Sequence, residues 1–395
     1  MRTLIALASS SSQLSGVQRH AVNLARCLLT RSEISEVTLV AAPWQQDFVY
    51  DAAPRFDGRL HIEAAPIGNS ALSRNQWFYM QLPKLAKRLQ TDIVHLAYPA
   101  PVRRDAFHCP AVVTLHDLYP YDIPENFGFP KVLFNRAVLH ECLRRVDAIA
   151  CVSDNTLKGL ETMYPTLAHE KAVVIYNSVE ASSFSLSEAS LPSWAGPPFL
   201  LCVAQHRRNK NVLLALQIFE RMLRSQQLIP QTRLILLGIK GPETAAIENY
   251  IASKGLRDNV LLLNGISDEQ LNWCYSNCIV LLAPSSLEGF GLPVAEALLT
   301  GCRVVCSDIP VFREIGGQDC QYVQLGHNEV ERFSEAIKLA ILQERPRPVL
   351  LPKLSAPVIA EAYLQLYRSL IHGPRPNGLS RRAPTLSPRG SGNLS

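Results

Sequence analysis

The sequence predicts an α/β protein built from two doubly wound domains in tandem, facing a central cleft. Three observations predict it. Short runs of β-branched and Leu residues, apolar on both faces, alternate with helical patterns, as parallel strands covered by helices require. The alternation breaks once, in a stretch rich in Ser, Pro and Ala, and then restarts. The 395 residues also exceed what one hydrophobic core sustains.

The first half supplies strand segments at Thr3–Ala8, Val37–Ala41, Asp92–Leu96, Ala111–Leu115, Ala148–Val152 and Ala172–Tyr176, with helices such as Val17–Leu29 and Val132–Arg144 between them. Residues 180–198 read as an interdomain linker. The second half has strands at Phe199–Ala204, Arg233–Leu237, Val260–Leu263, Ile279–Ala283 and Arg303–Cys306. Its helices are expected at Val212–Leu223, Thr244–Ser253, Asp268–Asn277 and Val294–Thr300. The expected organisation is therefore an N-terminal domain over 1–179, a C-terminal domain over 199–356, a last helix over 357–372 and a disordered tail over 373–395. Ligands of such sheets sit at the carboxyl ends of the strands.

Composition narrows the class. Apolar residues make up 47% and charged residues 18%, which is a globular balance. A net charge of +5 suits an anionic small ligand or an anionic membrane surface and is too weak to argue for nucleic acid. The ten cysteines are scattered. Cys274 and Cys278, like Cys302 and Cys306, sit four apart without a Cys-x-x-Cys spacing or a His partner, so no zinc site is expected. They read as small buried hydrophobes in a reducing cytosol. The N-terminal LIALA run is too short for a signal peptide, and no stretch reaches the length of a membrane span. The expected location is cytoplasmic, with at most peripheral contact at the inner face of a membrane.

The chemistry concentrates in SLEGFGLPVAE, Ser286–Glu296. An apolar strand ends at Pro284, and Pro293 is pre-set for the first turn of a helix. Gly289 and Gly291 lack a Cβ, so a ligand can approach their backbone closely. The helix start offers amides and a dipole to an anion. Glu288 and Glu296 flank the turn, and carboxylates accept paired hydroxyl hydrogen bonds, which a ribose or hexose offers. Glu296 in the first turn would also complement the helix dipole, and Glu288 alone could be a solvated loop residue.

This string resembles the Glu–seven residues–Glu signature of the family 4 retaining glycosyltransferases, which have the GT-B fold, here of the bacterial polysaccharide or lipopolysaccharide and mannosyltransferase-like type. The similarity runs roughly from the first strand to Gly316. It implies two Rossmann-like domains with the donor in the C-terminal one. It implies that Glu288 contacts the donor sugar, that Glu296 holds the ribose, and that the backbone of Gly289, Phe290, Gly291 and Leu292 faces sugar and phosphates.

Other segments extend the constellation. VAQHRRNKNV places Arg207, Arg208 and Lys210 at a strand's carboxyl end, where cations can stabilise a departing diphosphate; a solvated basic loop is the alternative. The resemblance implies an Arg and a Lys gripping the diphosphate. Lys210 matches, while Ala204-Gln205 replaces the family's usual Gly-Arg, so Arg208 is chosen over Arg207. His116 ends the strand AVVTL and resembles the family's strand-end histidine beside the transferred sugar, with Asp117 supporting its loop. Gly16 and Arg19 open the first helix in a Gly-Val-x-Arg that the resemblance puts on the acceptor or phosphate side. Gly238 and Gly265 end strands and make room for the nucleotide or are plain turns. Ser153 and Asn177 line the cleft or cap. NQWFYMQLPKLAKRL, from Asn75, combines aromatics with Lys84, Lys87 and Arg88, as a membrane interface or an ordinary surface helix would.

The function expected is transfer of a hexose, tilted toward mannose, from a GDP- or UDP-linked donor to a glycan or lipid-linked acceptor. Retention and independence of metal are implied by the resemblance, and no cofactor is expected beyond the donor. A sugar-nucleotide epimerase and a non-catalytic sugar-nucleotide-binding protein are the rival readings.

Overall fold

A computed structural model describes residues 1–11, 15–52, 58–180 and 194–373. The linker core, 181–193, and the tail from 374 lie outside the described residues. The N-terminal sheet takes β1 (Arg2–Ala6), β2 (Glu36–Ala41), β3 (Leu60–Ala64), β4 (Ile93–Leu96), β5 (Ala111–Leu115), β6 (Ala148–Cys151) and β7 (Ala172–Val174). These seven strands run parallel in the order β3-β2-β1-β4-β5-β6-β7. The C-terminal sheet takes β8 (Phe199–Val203), β9 (Arg233–Leu237), β10 (Val260–Leu263), β11 (Leu281–Ala283), β12 (Val304–Ser307) and β13 (Gln321–Val323). Its six strands are parallel in the order β10-β9-β8-β11-β12-β13.

Both domains are thus doubly wound, and each reverses strand order once. The reversals fall between β1 and β4 in the first sheet and between β8 and β11 in the second. Chains leaving neighbouring strands there diverge to opposite faces of the sheet and open a crevice. The loops leaving β1, β8 and β11 carry Gly16, the Arg207–Lys210 segment and Glu288–Gly291 respectively, so topology alone brings the basic loop beside the Glu288 turn.

Two strands escaped the sequence pattern. β3 and β13 are edge strands of intermediate burial, so neither shows a continuous apolar run. The helix that holds Glu296 starts two residues earlier than expected, at Leu292, with Gly291 as its cap at φ +88°, so Glu296 falls beyond the first turn expected for it. The ten cysteines are thiols, nine of them buried.

The last helix, Ala356–His372, crosses back and packs on the first domain. Ile359, Tyr363, Leu364 and Tyr367 join the core formed by β1, β2 and the helix Gly16–Leu29. A buried polar chain anchors it there. His95 Nδ1 lies 2.7 Å from Tyr367 OH, and His95 Nε2 lies 2.7 Å from Thr114 Oγ1, which also meets His20 Nε2 at 3.0 Å. Burial pushes His95 down to about 3 and His20 well below its usual range.

These histidines give the first domain an acid sensitivity. Unfolded imidazoles bind a proton near pH 6.5, whereas His95, His20 and His116, the last pushed down to about 4 by burial, stay neutral when folded. The unfolded state therefore binds more protons below pH 6.5, and stability falls as pH drops from there toward the folded values. Asp117, raised to about 6 by burial, and Asp122, also raised by burial, act in the opposite sense, two carboxyls of this domain against the three histidines. Melting curves are expected to show Tm falling between about pH 7 and pH 5, with His95→Gln flattening that slope. A Tm that rises on acidification would contradict the account.

Candidate functional site

The two sheets present their carboxyl ends to one cavity of about 860 Å³, lined from both domains. Its size is that of a nucleotide-sized small-molecule site. From the C-terminal domain come Arg207, Lys210, Gly238, Glu288 to Pro293 and Glu296, and from the N-terminal domain Gly16, Arg19 and His116.

Glu288 is held from two sides. Lys210 Nζ lies 2.6 Å from its Oε2, and Ser285 Oγ donates to Oε1 at 2.9 Å. Both ion-pair partners are largely buried, with side chains 17% and 11% exposed. A carboxylate has about four lone-pair sites, so two fixed contacts leave capacity for hydroxyl donors. Glu296 is half-buried and lines the cavity. Tyr275 OH donates to its Oε2 at 2.8 Å, and burial raises its pKa despite the nearby Arg19 guanidinium. Arg19 itself reaches across the cleft to Asp268, with Nη2 to Oδ1 at 2.7 Å. Burial works against its charge, and the Glu296 and Asp268 carboxylates overcome that and hold its pKa raised.

His116 has a defined donor–acceptor polarity. Its Nε2 lies 2.9 Å from the Ala97 carbonyl, which can only accept, so the proton sits on Nε2. With its pKa pushed down to about 4 by burial, the ring is neutral near pH 7 and Nδ1 remains an acceptor. Asp117 Oδ1 accepts from the Tyr119 amide at 3.1 Å, the turn-supporting contact expected of it.

The structure alters the reading of five residues. Arg208 is exposed and opens a short 3-10 turn, whereas Arg207 is half-buried and lines the cavity, so the choice of Arg208 is corrected to Arg207. Gly238 lines the cavity, yet the space it leaves is filled by backbone: a Cβ there would stand 1.8 Å from the Ala204 carbonyl oxygen. Phe290 also lines the cavity, but it packs with Val152, Val179, Ile315 and Leu354 in an apolar cluster between the domains. Leu292 borders that cluster and faces Gly16 across the cleft, 3.8 Å from the position of an added Cβ. Gly289 does allow close approach, but to the other domain: its Cβ would lie 1.8 Å from the His116 carbonyl oxygen. Its own carbonyl accepts from Ser153 Oγ at 2.6 Å and Thr156 Oγ1 at 3.2 Å, both in the first domain. Ser153 caps the helix Asp154–Met163 as well. Asn177 is buried and lines the cavity. Pro293 has no N–H and the Val294 amide donates to the Gly291 carbonyl, which narrows the anion-facing donors of this turn to the amides around Leu292.

The model for glycosyltransferase family 4 matches residues 14–183, and that for glycosyl transferases group 1 matches residues 186–351. Together they take in most of the chain. The chain belongs to the family 4 glycosyltransferases. The enzyme is 28% identical over 227 residues to the O-antigen chain mannosyltransferase RfbU of Salmonella typhimurium, a match over 57% of this chain and 59% of that protein. It is 26% identical over 342 residues to O-antigen chain mannosyltransferase B of Escherichia coli, over 80% of this chain and 85% of the relative. A third relative, the GDP-mannose:cellobiosyl-diphosphopolyprenol alpha-mannosyltransferase of Xanthomonas oryzae, is 26% identical over 45% of each chain. Among solved structures, Anabaena HepE in complex with UDP and glucose superposes with a TM-score of 0.69 at 16% identity, covering 94% of this chain and all of that one. WaaG, a glycosyltransferase of lipopolysaccharide biosynthesis, superposes with a TM-score of 0.65 at 15% identity, covering 93% of this chain and 97% of that one. Those likenesses establish the GT-B fold.

The Gly289 contact yields a test of domain closure. An Ala Cβ cannot fit against a backbone carbonyl without parting the domains at that point. Gly289→Ala is expected to leave each domain folded, to enlarge the molecule in solution scattering, and to slow transfer by roughly a hundredfold, the cost of about 1 Å of misplacement. Wild-type compactness and turnover in this variant would refute the contact's role.

Proposed function

We propose that the enzyme transfers a hexose, with mannose favoured, from a nucleotide-diphosphate donor to a glycan or lipid-linked acceptor, with retention of configuration and without a metal. One observation carries the reading: the Lys210–Glu288 ion pair lies in the same cavity as Arg207 and Glu296. The cations would compensate the charge of a departing diphosphate, and the carboxylates would accept the hydroxyls of sugar and ribose. Lys210 then serves both sides, holding Glu288 in place and facing the leaving group. Mannose is favoured because these sequence relatives are mannosyltransferases, one of them a GDP-mannose-dependent enzyme. Transfer is preferred over the epimerase because the matched families and relatives are transferases.

In the proposed step the anomeric carbon becomes oxocarbenium-like as its bond to the diphosphate oxygen breaks. Arg207, Lys210 and the amides around Leu292 stabilise the leaving oxygens. The acceptor hydroxyl attacks from the same face and passes its proton to the departing phosphate. His116 Nδ1 accepts a hydrogen bond from a donor-sugar hydroxyl. The domains exclude water from the reacting atoms. The enzyme acts in the cytoplasm, where sugar nucleotides are available.

A panel of GDP-mannose, UDP-glucose and UDP-N-acetylglucosamine, read by release of GDP or UDP, tests the donor; release is expected from GDP-mannose and undiminished by EDTA. Glu288→Gln should lower kcat by about 10²–10³, in line with loss of one electrostatic contact at the reacting centre. Arg207→Ala should cost at least about tenfold, while Arg208→Ala, an exposed change, should stay within about twofold. Full activity in Glu288→Gln, or equal losses in the two arginine variants, would overturn these assignments.

A further inference from the structure

Lys210 lies in the turn after β8 and Glu288 in the turn after β11, both in the second domain. The bond between their side chains does not fix how the two turns lie. A lysine ammonium on its flexible four-carbon stem can follow a partner over a range of backbone positions. The residue before it is stiffer. Asn209 is 2% exposed and carries a short amide. Its Nδ2 donates to the Leu287 carbonyl at 3.0 Å, and its own carbonyl accepts from the Ser286 amide at 2.8 Å. The neighbour of Lys210 is thus bonded to the neighbour of Glu288, a rung beside the 2.6 Å ion pair. Asn211 adds a rung on the other side, from Nδ2 to the Pro284 carbonyl at 2.9 Å.

The other side-chain bonds of Asn209 come from the first domain. Nδ2 also donates to the Tyr119 hydroxyl at 3.3 Å, and Oδ1 accepts from Asn126 Nδ2 at 3.2 Å. Tyr119 is buried, and burial pushes its hydroxyl well above the usual range, so the group stays protonated. Its oxygen receives the Asn209 hydrogen while its own proton faces the Leu287 carbonyl, 3.5 Å away. A carbonyl only accepts, which fixes the amide: Nδ2 faces Leu287 and Tyr119, and Oδ1 faces Asn126. Both amide hydrogens are therefore used, and one of them only because the first domain is in place.

We infer that Asn209 is a positioning residue that aligns Lys210 with Glu288, and that it does so fully only when Tyr119 and Asn126 close on it. Opening the cleft would strip a buried amide of a donor contact and an acceptor contact at once, which favours its turning away from Leu287. Closure then completes an ion pair whose two members both belong to the other domain. The inference rests on the transfer reading for its purpose only, because the first measurement below needs no turnover.

The double variant Tyr119→Phe/Asn126→Ala leaves the second domain's sequence intact. Amide hydrogen–deuterium exchange at Ser286, in that second domain, is expected to quicken about tenfold or more relative to the parent. Its kcat with donor should fall about tenfold to a hundredfold, as misplacement of reacting groups costs. KM for donor should stay within about threefold, since the Tyr275–Glu296 contact lies outside this network. Asn209→Ala should reproduce the loss in kcat. Combining all three changes should cost no more than about twofold beyond Asn209→Ala, because the residues act as one unit. If Asn209→Ala does not fold, the first-domain variant still decides. Ser286 exchange at the parent rate in that variant overturns the inference. So do losses that multiply in the combined variant, or a loss confined to KM. A parent chain that turns over no donor refutes the transfer reading, and the Ser286 exchange then judges the positioning alone.

Discussion

Gly289 pressed against the carbonyl of His116 is the contact on which the cavity depends. It ties the turn after β11 to the end of β5, and it does so through backbone, which cannot yield as a side-chain end can. Ser153 and Thr156 add hydroxyl donors to the Gly289 carbonyl, and Glu314 accepts the amides of Asp154 and Asn155 at 2.7 and 3.1 Å. The first domain's helix Asp154–Met163 is thereby capped in part by a carboxylate of the second. His116, Glu288 and Lys210 share one cavity because this seam holds the domains at that distance.

The seam is strong enough to define a geometry and weak enough to open. Its apolar part is a cluster of six buried residues, including Phe290 and Leu354. Each cross-cleft hydrogen bond, exchanged for one to water, is worth about 0.5–1.5 kcal/mol net. A separation cost of that scale is comparable to the binding energy of a small ligand, so a donor bridging both domains can bias the equilibrium. The electrostatics favour the same coupling. Arg19 spans the cleft to Asp268 beside Glu296, so opening would part the Glu296 carboxylate from its nearby cation.

The sequence revealed what local chemistry encodes and missed what tertiary contact decides. The Glu288–Glu296 string was legible because its parts are sequence-local: a strand end, two glycines, a proline at the second helical position and a carboxylate one turn on. The choice between Arg207 and Arg208 was not. Arg207 has extended geometry, φ −121° and ψ 152°, just before a 3-10 turn, and neighbouring side chains there point to opposite sides. Only the packing of the loop selects which one faces the cavity. Gly238 and Gly289 show a second limit. A glycine announces a close approach but not what approaches, and in both cases it is a carbonyl 1.8 Å from the missing Cβ rather than open space for ligand. Edge strands β3 and β13 lacked the two-sided burial that makes a strand readable.

The last helix turns two stacked domains into a hinged pair. Its amphipathic pattern was visible, but a pattern does not say which sheet it covers. By returning to the first domain it obliges the chain to cross between domains twice, once after β7 and once before Ala356. The two crossings meet, with the Val179 amide donating to the Leu354 carbonyl at 3.0 Å, and both residues belong to the interdomain apolar cluster. A single connection would let the domains swivel freely. Two adjoining connections restrict relative motion chiefly to rotation about the line between them, so opening displaces the cleft mouth far more than the cluster beside the crossings. A rotation of that kind would keep Phe290 packed beside the crossings and would part the Arg19–Asp268 and Asn126–Asn209 contacts across the cleft.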